Sequence, residues 1–124
     1  MKLAIVIALL ASTASAARAA PQAGTGLSPP VMRDLRCLIL SAALAADDDP
    51  DKSKGGQIGM AYFGGKLAVE TPSLDLPSTV RTVVDKEGNA GLNAARERCA
   101  NEMQALDDRL NKTGASLNQN PAGK

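Results

Sequence analysis

Apolar residues recur three or four positions apart in four stretches of the chain, which is the spacing of one face of an α-helix. The first stretch opens with Ser28, a residue type that caps helices, and Pro29, which the first helical turn tolerates. We predict a helix over 29–46. Its apolar residues occupy two opposite faces, which indicates neighbours on more than one side: Val31, Leu35, Leu38, Ile39 and Ala42 on one face, and Cys37, Leu40 and Leu44 on the other.

The second stretch predicts a helix over 57–70, which contains the only tyrosine and the only phenylalanine of the chain. At about 100° per residue, a strip of small side chains runs between two flanks of larger ones. A glycine inside a helix costs roughly 1 kcal/mol relative to alanine, so we expect a neighbouring helix backbone to approach this strip closely. The pattern therefore predicts a packing or interaction groove formed by Met60, Ala61, Tyr62, Phe63, Gly64, Gly65, Leu67 and Ala68.

The third stretch follows Asp75, a helix-capping residue, and covers 76–86. Its apolar positions have helical spacing, but its three valines also suit a strand, so both structures stay open and the period favours a helix. Gly88 ends the stretch.

The fourth stretch predicts a helix over 92–113 with one apolar face. Gly114 is a plausible C-terminal cap, and we expect 115–124 to be a disordered tail. The prediction is therefore an all-α domain over 28–114, a small bundle of about four helices. The apolar face of the fourth helix consists of Leu92, Ala95, Cys99, Met103, Leu106 and Leu110.

The N-terminus has the pattern of a Sec-type signal peptide over 1–19: Lys2, an apolar run, and small residues that permit cleavage after Ala16 or Ala19. Residues 20–27 read as a flexible leader. No later stretch is long and apolar enough to cross a bilayer, so we expect no membrane insertion after the signal is removed. These features predict a periplasmic or secreted protein.

The only two cysteines, Cys37 and Cys99, lie in the first and fourth predicted helices. Because disulfides persist outside the cytosol, we predict that they form one. It would close a loop of about sixty residues, worth roughly 4 kcal/mol in the chain-entropy model. A redox or metal-binding role is disfavoured because the chain has no C-x-x-C motif and no histidine. We expect no metal and no cofactor.

Charge disfavours nucleic acid as a partner. The full chain has 14 basic and 13 acidic residues. Cleavage after Ala16 removes Lys2 and leaves thirteen of each, and cleavage after Ala19 also removes Arg18 and gives a net charge of −1. A neutral chain without basic clusters lacks the electrostatic footprint of nucleic-acid binding.

Two stretches of the chain match only parts of known site motifs. The acidic loop 47–56 begins like a calcium loop, but Lys52 stands where that loop needs glycine and Ile58 where it needs a bidentate glutamate. Tyr62 and Lys66 have the Y-x-x-x-K spacing of a dehydrogenase pair, yet the chain lacks the glycine motif of a dinucleotide-binding sheet. Without histidine, the usual general base is also missing. We therefore expect no enzymatic activity.

Three segments, 36–45, 61–67 and 97–103, resemble uncharacterised small secreted proteins of alphaproteobacteria. The plan of one disulfide between an early and a late helix is similar to that of the HdeA-type periplasmic chaperones. This resemblance implies an exported protein-interaction or stress-protection module whose partner is another protein. The alternative is a small-molecule carrier that uses the groove beside helix 57–70. The oligomeric state is left open by these patterns.

Overall fold

The computed structural model describes residues 26–119. That part of the chain contains four helices and no strand, so the all-α prediction is confirmed and segment 76–86 is helical. The signal peptide (1–19), most of the leader, and residues 120–124 lie outside the described residues. The helices are α1 (Pro29–Ala45), α2 (Pro50–Glu70), α3 (Leu76–Ala94) and α4 (Arg96–Gln119).

The second helix begins seven residues earlier than predicted. Asp49 caps it, because its carboxylate accepts hydrogen bonds from the backbone N–H groups of Asp51 and Lys52, and Pro50 occupies the first turn. The prediction of a loop over 47–56 is therefore wrong for most of its length. Proline and glycine favour a loop when considered locally, whereas Asp49-Pro50 starts a helix here.

The third helix contains an interruption where the sequence places its end. Gly88 has φ 60° and ψ −170°, a conformation that glycine adopts without steric cost, and residues on either side are helical. Helical structure resumes after Gly88 and continues to Ala94. A turn at Ala95 then separates α3 from α4, so Leu92 belongs to α3 and not to the last helix.

The last helix runs from Arg96 to Gln119, six residues past the predicted end. Gly114 lies inside it, so the predicted cap at this residue is wrong, and residues 115–119 of the predicted tail are helical. A single glycine costs a helix only about 1 kcal/mol, which the surrounding good helix formers offset. At 1.5 Å per residue, α4 is about 36 Å long.

The first helix is the centre of the fold and packs most extensively against α2. The two helices are antiparallel: Gly56 faces the backbone of Ala45 near one end, and Lys66 binds Asp34 near the other. The core is small and almost free of aromatic side chains. Its buried apolar residues are Val31, Met32, Leu35, Cys37, Leu38, Phe63, Leu67, Val83, Leu92 and Cys99.

The apolar residues of α1 have neighbours on more than one side, as predicted. Leu38 is buried on the face towards α2, and Cys37 is buried on the face towards α4. A third helix, α3, also contacts α1. Its Glu87 accepts three hydrogen bonds from the Arg36 guanidinium at 2.7–3.0 Å. None of the described helices is both long and apolar enough to span a bilayer.

Candidate functional site

The predicted disulfide is present. The sulfur atoms of Cys37 and Cys99 are 2.03 Å apart, and the bond joins α1 to α4 across 62 positions of sequence. Both cysteines are buried. Arg98 covers the bond, with Nη2 3.2 Å from Cys37 Sγ, and the same nitrogen donates to the carbonyl oxygen of Arg33 at 2.7 Å. The disulfide and this guanidinium therefore fix the first turn of α4 against the first half of α1.

The eight residues of the predicted groove are divided between the interior and the surface. Phe63 and Leu67 are fully or almost fully buried, and they belong to the core. Tyr62 and Gly64 are half-buried. The remaining members are exposed: Met60, Ala61, Gly65 and Ala68.

The backbone of α1 approaches α2 most closely at Gly56, which lies N-terminal to the predicted groove. A Cβ atom on Gly56 would lie 2.7 Å from Cα of Ala45, and one on Gly59 would lie 3.0 Å from Cβ of Ser41. At Gly65 nothing lies within 4 Å of such an atom, and at Gly64 only a leucine methyl does. The expectation that Gly64 and Gly65 admit a neighbouring backbone is therefore wrong. The helix start at Pro50 shifts the contact with α1 towards the earlier glycines.

A charged cluster joins three helices beside the disulfide. The Lys66 ammonium on α2 donates to Asp34 of α1 at 2.9 Å and to Glu102 of α4 at 2.7 Å. The Tyr62 hydroxyl donates to the same Glu102 oxygen at 3.3 Å, and Arg98 lies 3.6 Å from the other one. The Lys66 ammonium also lies 5.5 Å from the centre of the Tyr62 ring. We call Asp34, Tyr62, Lys66, Arg98 and Glu102 the Lys66 cluster.

Charge pairing shifts the pKa values of two groups in the Lys66 cluster. Burial lowers the pKa of Lys66, but its hydrogen bonds to Glu102 and Asp34 outweigh burial, and the net pKa is raised. Burial raises the pKa of Glu102, while the hydrogen bond and charge of Lys66, together with Tyr62 and Arg98, outweigh it and lower the pKa. Both groups are therefore held in their charged forms at neutral pH.

The Lys66 cluster contains a buried carboxylate on α1. Asp34 is only 4% exposed. A signal was available, because Asp34 lies three positions after Val31 and four before Leu38, within the apolar face of α1. Tyr62 and Lys66 do lie together, but their shared partner is a carboxylate of α4, and the arrangement serves to connect helices.

An open apolar groove of about 650 Å³ lies between the second half of α1 and α4. Phe63 of α2 contributes to its lining, and Leu44, on its α1 wall, remains 39% exposed. Charged and amide side chains surround the apolar surface. We call this the α1–α4 groove. Its apolar residues are Leu40, Ala43, Leu44, Gly55, Phe63, Cys99, Ala100 and Met103, and its polar ones are Ser41, Asp47, Lys52, Arg96, Gln104 and Asp107.

The acidic loop beside the groove is organised by hydrogen bonds to its own backbone. Asp47 accepts from the N–H of Asp49, which lowers the pKa of the Asp47 carboxyl, and its other oxygen lies 3.5 Å from the Lys52 ammonium. Asp49 caps α2. Among the described residues, no group of three or more cysteine or carboxylate side chains is arranged to hold a metal ion.

A scan against protein-family models and searches of curated proteins and of solved structures find no match to this chain.

Proposed function

We propose that the chain is an exported protein-interaction module that holds an apolar segment of another protein in the α1–α4 groove. The observation that carries this proposal is the groove itself: an open apolar cleft, about 650 Å³ in volume, beside an exposed Leu44. Contiguous exposed apolar surface with a polar rim is typical of protein-binding sites. The proposed function is binding, without catalysis.

The disulfide supports export as part of the same proposal. Disulfides form and persist in the periplasm and outside the cell, and they stabilise small domains whose cores are thin. The buried bond between Cys37 and Cys99 connects both walls of the groove, since one sulfur belongs to α1 and the other to α4. A rigid groove binds with a smaller loss of conformational entropy than a flexible one.

Site-specific photocrosslinking tests the proposal. A benzophenone amino acid at Gln104, which lines the groove, should capture a protein in exporting cells, whereas the same group at Lys112 on α4 should not. Leu44→Glu should abolish the Gln104 adduct, and Ile58→Glu, at an exposed site of α2 outside the groove, should leave it unchanged. An adduct that forms equally at Lys112, or one that survives Leu44→Glu, would contradict groove binding.

The volume of the groove also favours a second candidate, a small-molecule carrier. Ligand sites have volumes of roughly 300–1,000 Å³ and are mostly apolar. A carrier purified from its native compartment should retain its ligand, and native mass spectrometry would detect the added mass. Loss of that mass in Leu44→Glu, together with no protein adduct at Gln104, would replace the first candidate by the second.

A further inference from the structure

The two sulfur atoms of the disulfide have different surroundings. Cys37 Sγ lies 3.2 Å from Nη2 of Arg98, whereas Cys99 Sγ lies 3.7 Å from the same nitrogen. Cys37 is fully buried, while Cys99 is 7% exposed and contributes to the lining of the α1–α4 groove. One sulfur is therefore closer to a positive charge, and the other belongs to the residue that borders the open groove.

The guanidinium of Arg98 interacts differently with an intact and with an opened bond. Disulfide sulfur is a weak hydrogen-bond acceptor, but a thiolate carries a full negative charge and accepts a charge-assisted hydrogen bond. Arg98 therefore stabilises a thiolate at Cys37 more than it stabilises the disulfide. Glu102 offsets part of the positive charge, yet its carboxylate lies 3.6 Å from Nη1 and is also paired with Lys66, so Nη2 stays directed towards the sulfur atoms.

We propose that the Cys37–Cys99 bond is a thiol–disulfide exchange site, at which an external thiolate attacks Cys99 from the α1–α4 groove and Cys37 leaves. The lone pair of the incoming sulfur forms a bond to Cys99 Sγ. The bond between the two cysteines breaks, and its electron pair goes to Cys37 Sγ, where the thiolate pairs with Arg98. A leaving group whose thiolate is more stable leaves faster, so this geometry favours attack at Cys99 over attack at Cys37.

The co-reactant that completes the reduction is a dithiol. The Cα atoms of Cys37 and Cys99 are 5.4 Å apart, so after attack by a monothiol the Cys37 thiolate can displace it and close the bond again. With a dithiol, the second thiolate attacks the first sulfur of the same molecule and displaces Cys99, which takes up a proton. The dithiol is then oxidised to a disulfide, and both cysteines are reduced.

This site does not need the C-x-x-C motif whose absence disfavours a redox role in the sequence. Arginine beside a cysteine favours the thiolate as that motif does, and Arg98 is adjacent to Cys99 in sequence and to Cys37 in space. Reduction removes the covalent link between the two walls of the groove. The proposal uses the groove as a route for a thiol, and it stands whether or not a protein segment binds there.

Trapping the mixed disulfide tests the direction of attack. The oxidised wild type is treated with 2-mercaptoethanol at neutral pH, quenched with acid and alkylated, and peptide mass spectrometry locates the modified cysteines. We expect mercaptoethanol on Cys99 and the alkyl group on Cys37. Mercaptoethanol on Cys37, or in equal amounts on both cysteines, would overturn the proposal.

Reduction rates of Arg98→Met separate the effect of charge from that of packing. Loss of the guanidinium loosens the start of α4, which by itself would expose the bond and speed its reduction. Loss of thiolate stabilisation has the opposite sign, and we expect reduction by dithiothreitol under native conditions to slow by roughly three- to tenfold. Arg98→Lys keeps the charge and should recover part of the rate. Arg109→Met, at an exposed site of the same helix, should match the wild type.

Two results of these rate measurements would contradict the proposal. The first is an unchanged or faster reduction of Arg98→Met, which would show that Arg98 acts only through packing. The second is a wild-type rate no greater than the rate of global unfolding, which would show that the folded protein does not admit a thiol.

Filling the groove tests the route of the thiol. Ala43 lines the groove from α1, and the larger side chain of Ala43→Trp should slow reduction by roughly threefold or more because access to the sulfur limits exchange. Ala105→Trp, at an exposed site of α4 outside the groove, should leave the rate unchanged. Equal rates in the two variants would show that the thiol does not approach through the groove.

Discussion

The ammonium of Lys66 lies 2.7 Å from Oε1 of Glu102, and this ion pair ties α4 to α2. The disulfide ties the same helix to α1 one turn earlier. These two links, with the guanidinium of Arg98, position the first half of α4 and thereby form one wall of the α1–α4 groove. The position of this wall therefore depends on polar and covalent contacts as well as on apolar packing.

Removing the Lys66 ammonium should destabilise the fold. In Lys66→Met, the buried carboxylate of Asp34 loses its ion-pair partner, and an unsatisfied buried acceptor costs about 1–3 kcal/mol. Lys52→Met is the control, since Lys52 forms an exposed pair with Asp47 and should change stability by less than about 0.5 kcal/mol. Urea unfolding of the oxidised proteins measures both. Equal losses in the two variants would refute a structural role for the cluster.

The Lys66 cluster makes stability depend on pH at both ends of the range. The pKa of Glu102 is below its ordinary 4.5 in the folded protein, so its contribution is complete above that pH and is lost as pH falls through the lower folded pKa. The pKa of Lys66 is above its ordinary 10.5, so its contribution is complete below that pH and is lost as pH rises through the higher folded pKa. Between pH 4.5 and pH 10.5 the contribution of the Lys66 cluster to stability should be constant.

Comparing the wild type with Glu102→Gln isolates the part of the pH dependence of stability that Glu102 causes at low pH. The difference in unfolding free energy should be constant from about pH 5 to 9 and should shrink below pH 4.5. Asp47, whose pKa is also lowered, is present in both proteins, so its contribution cancels. A difference that stays constant down to pH 2 would show that Glu102 is not linked to folding.

Opening the disulfide should lower the melting temperature strongly. The bond closes a loop of 62 positions, which the chain-entropy model values at roughly 4 kcal/mol. For a domain of this size, that corresponds to a decrease of roughly 15–30 °C. Calorimetry of the Cys37→Ala/Cys99→Ala variant measures the loss, with the oxidised wild type as reference. An unchanged melting curve would exclude a stabilising role for the bond.

The glycines of α2 should respond in opposite directions to alanine. Gly56→Ala should destabilise, because its Cβ would overlap the backbone of Ala45 and force α1 and α2 apart. Gly65→Ala should be neutral or stabilise by up to about 1 kcal/mol, since the site is open and alanine favours helix. Denaturant unfolding of the pair separates the two effects. Similar destabilisation by both would contradict the close approach at Gly56.

The proposed interaction function predicts protection of an unfolded client. At roughly pH 2–3, within the range where carboxylates protonate, loss of the Glu102 charge weakens the link between α2 and α4 and should widen the groove. We expect the oxidised protein to suppress aggregation of a model client, measured by light scattering, and Leu44→Glu to reduce this effect relative to Ile58→Glu. No protection at any pH would remove the stress-protection form of the proposal.

Most of the fold was predictable because its signals are local. Helical spacing predicted α1, the first part of α3 and most of α4, and the cysteines predicted the bond that joins α1 to α4. Helix boundaries were less predictable, since Asp49-Pro50 and Gly114 are each compatible with a break and with a helix. Whether the chain forms a helix at these residues depends on whether packing elsewhere offsets the local cost of glycine or proline.

The candidate sites were much less predictable. The groove predicted over 60–68 rests on the pattern of one helix, whereas the α1–α4 groove is lined mostly by residues of α1 and α4, and only Phe63 belongs to both. The Lys66 cluster joins residues up to 68 positions apart, and no pattern within one helix pairs Asp34 with a lysine of α2.

The sequence alone determined the helical class and the covalent link, because apolar spacing and a single pair of cysteines are properties of the chain itself. The tertiary structure decided which face of each helix meets which neighbour. It placed the close approach at Gly56 and buried the charge of Asp34, and it left Leu110 and Leu117 exposed. Such outcomes depend on the relative position of helices in space, which residue spacing within a helix does not specify.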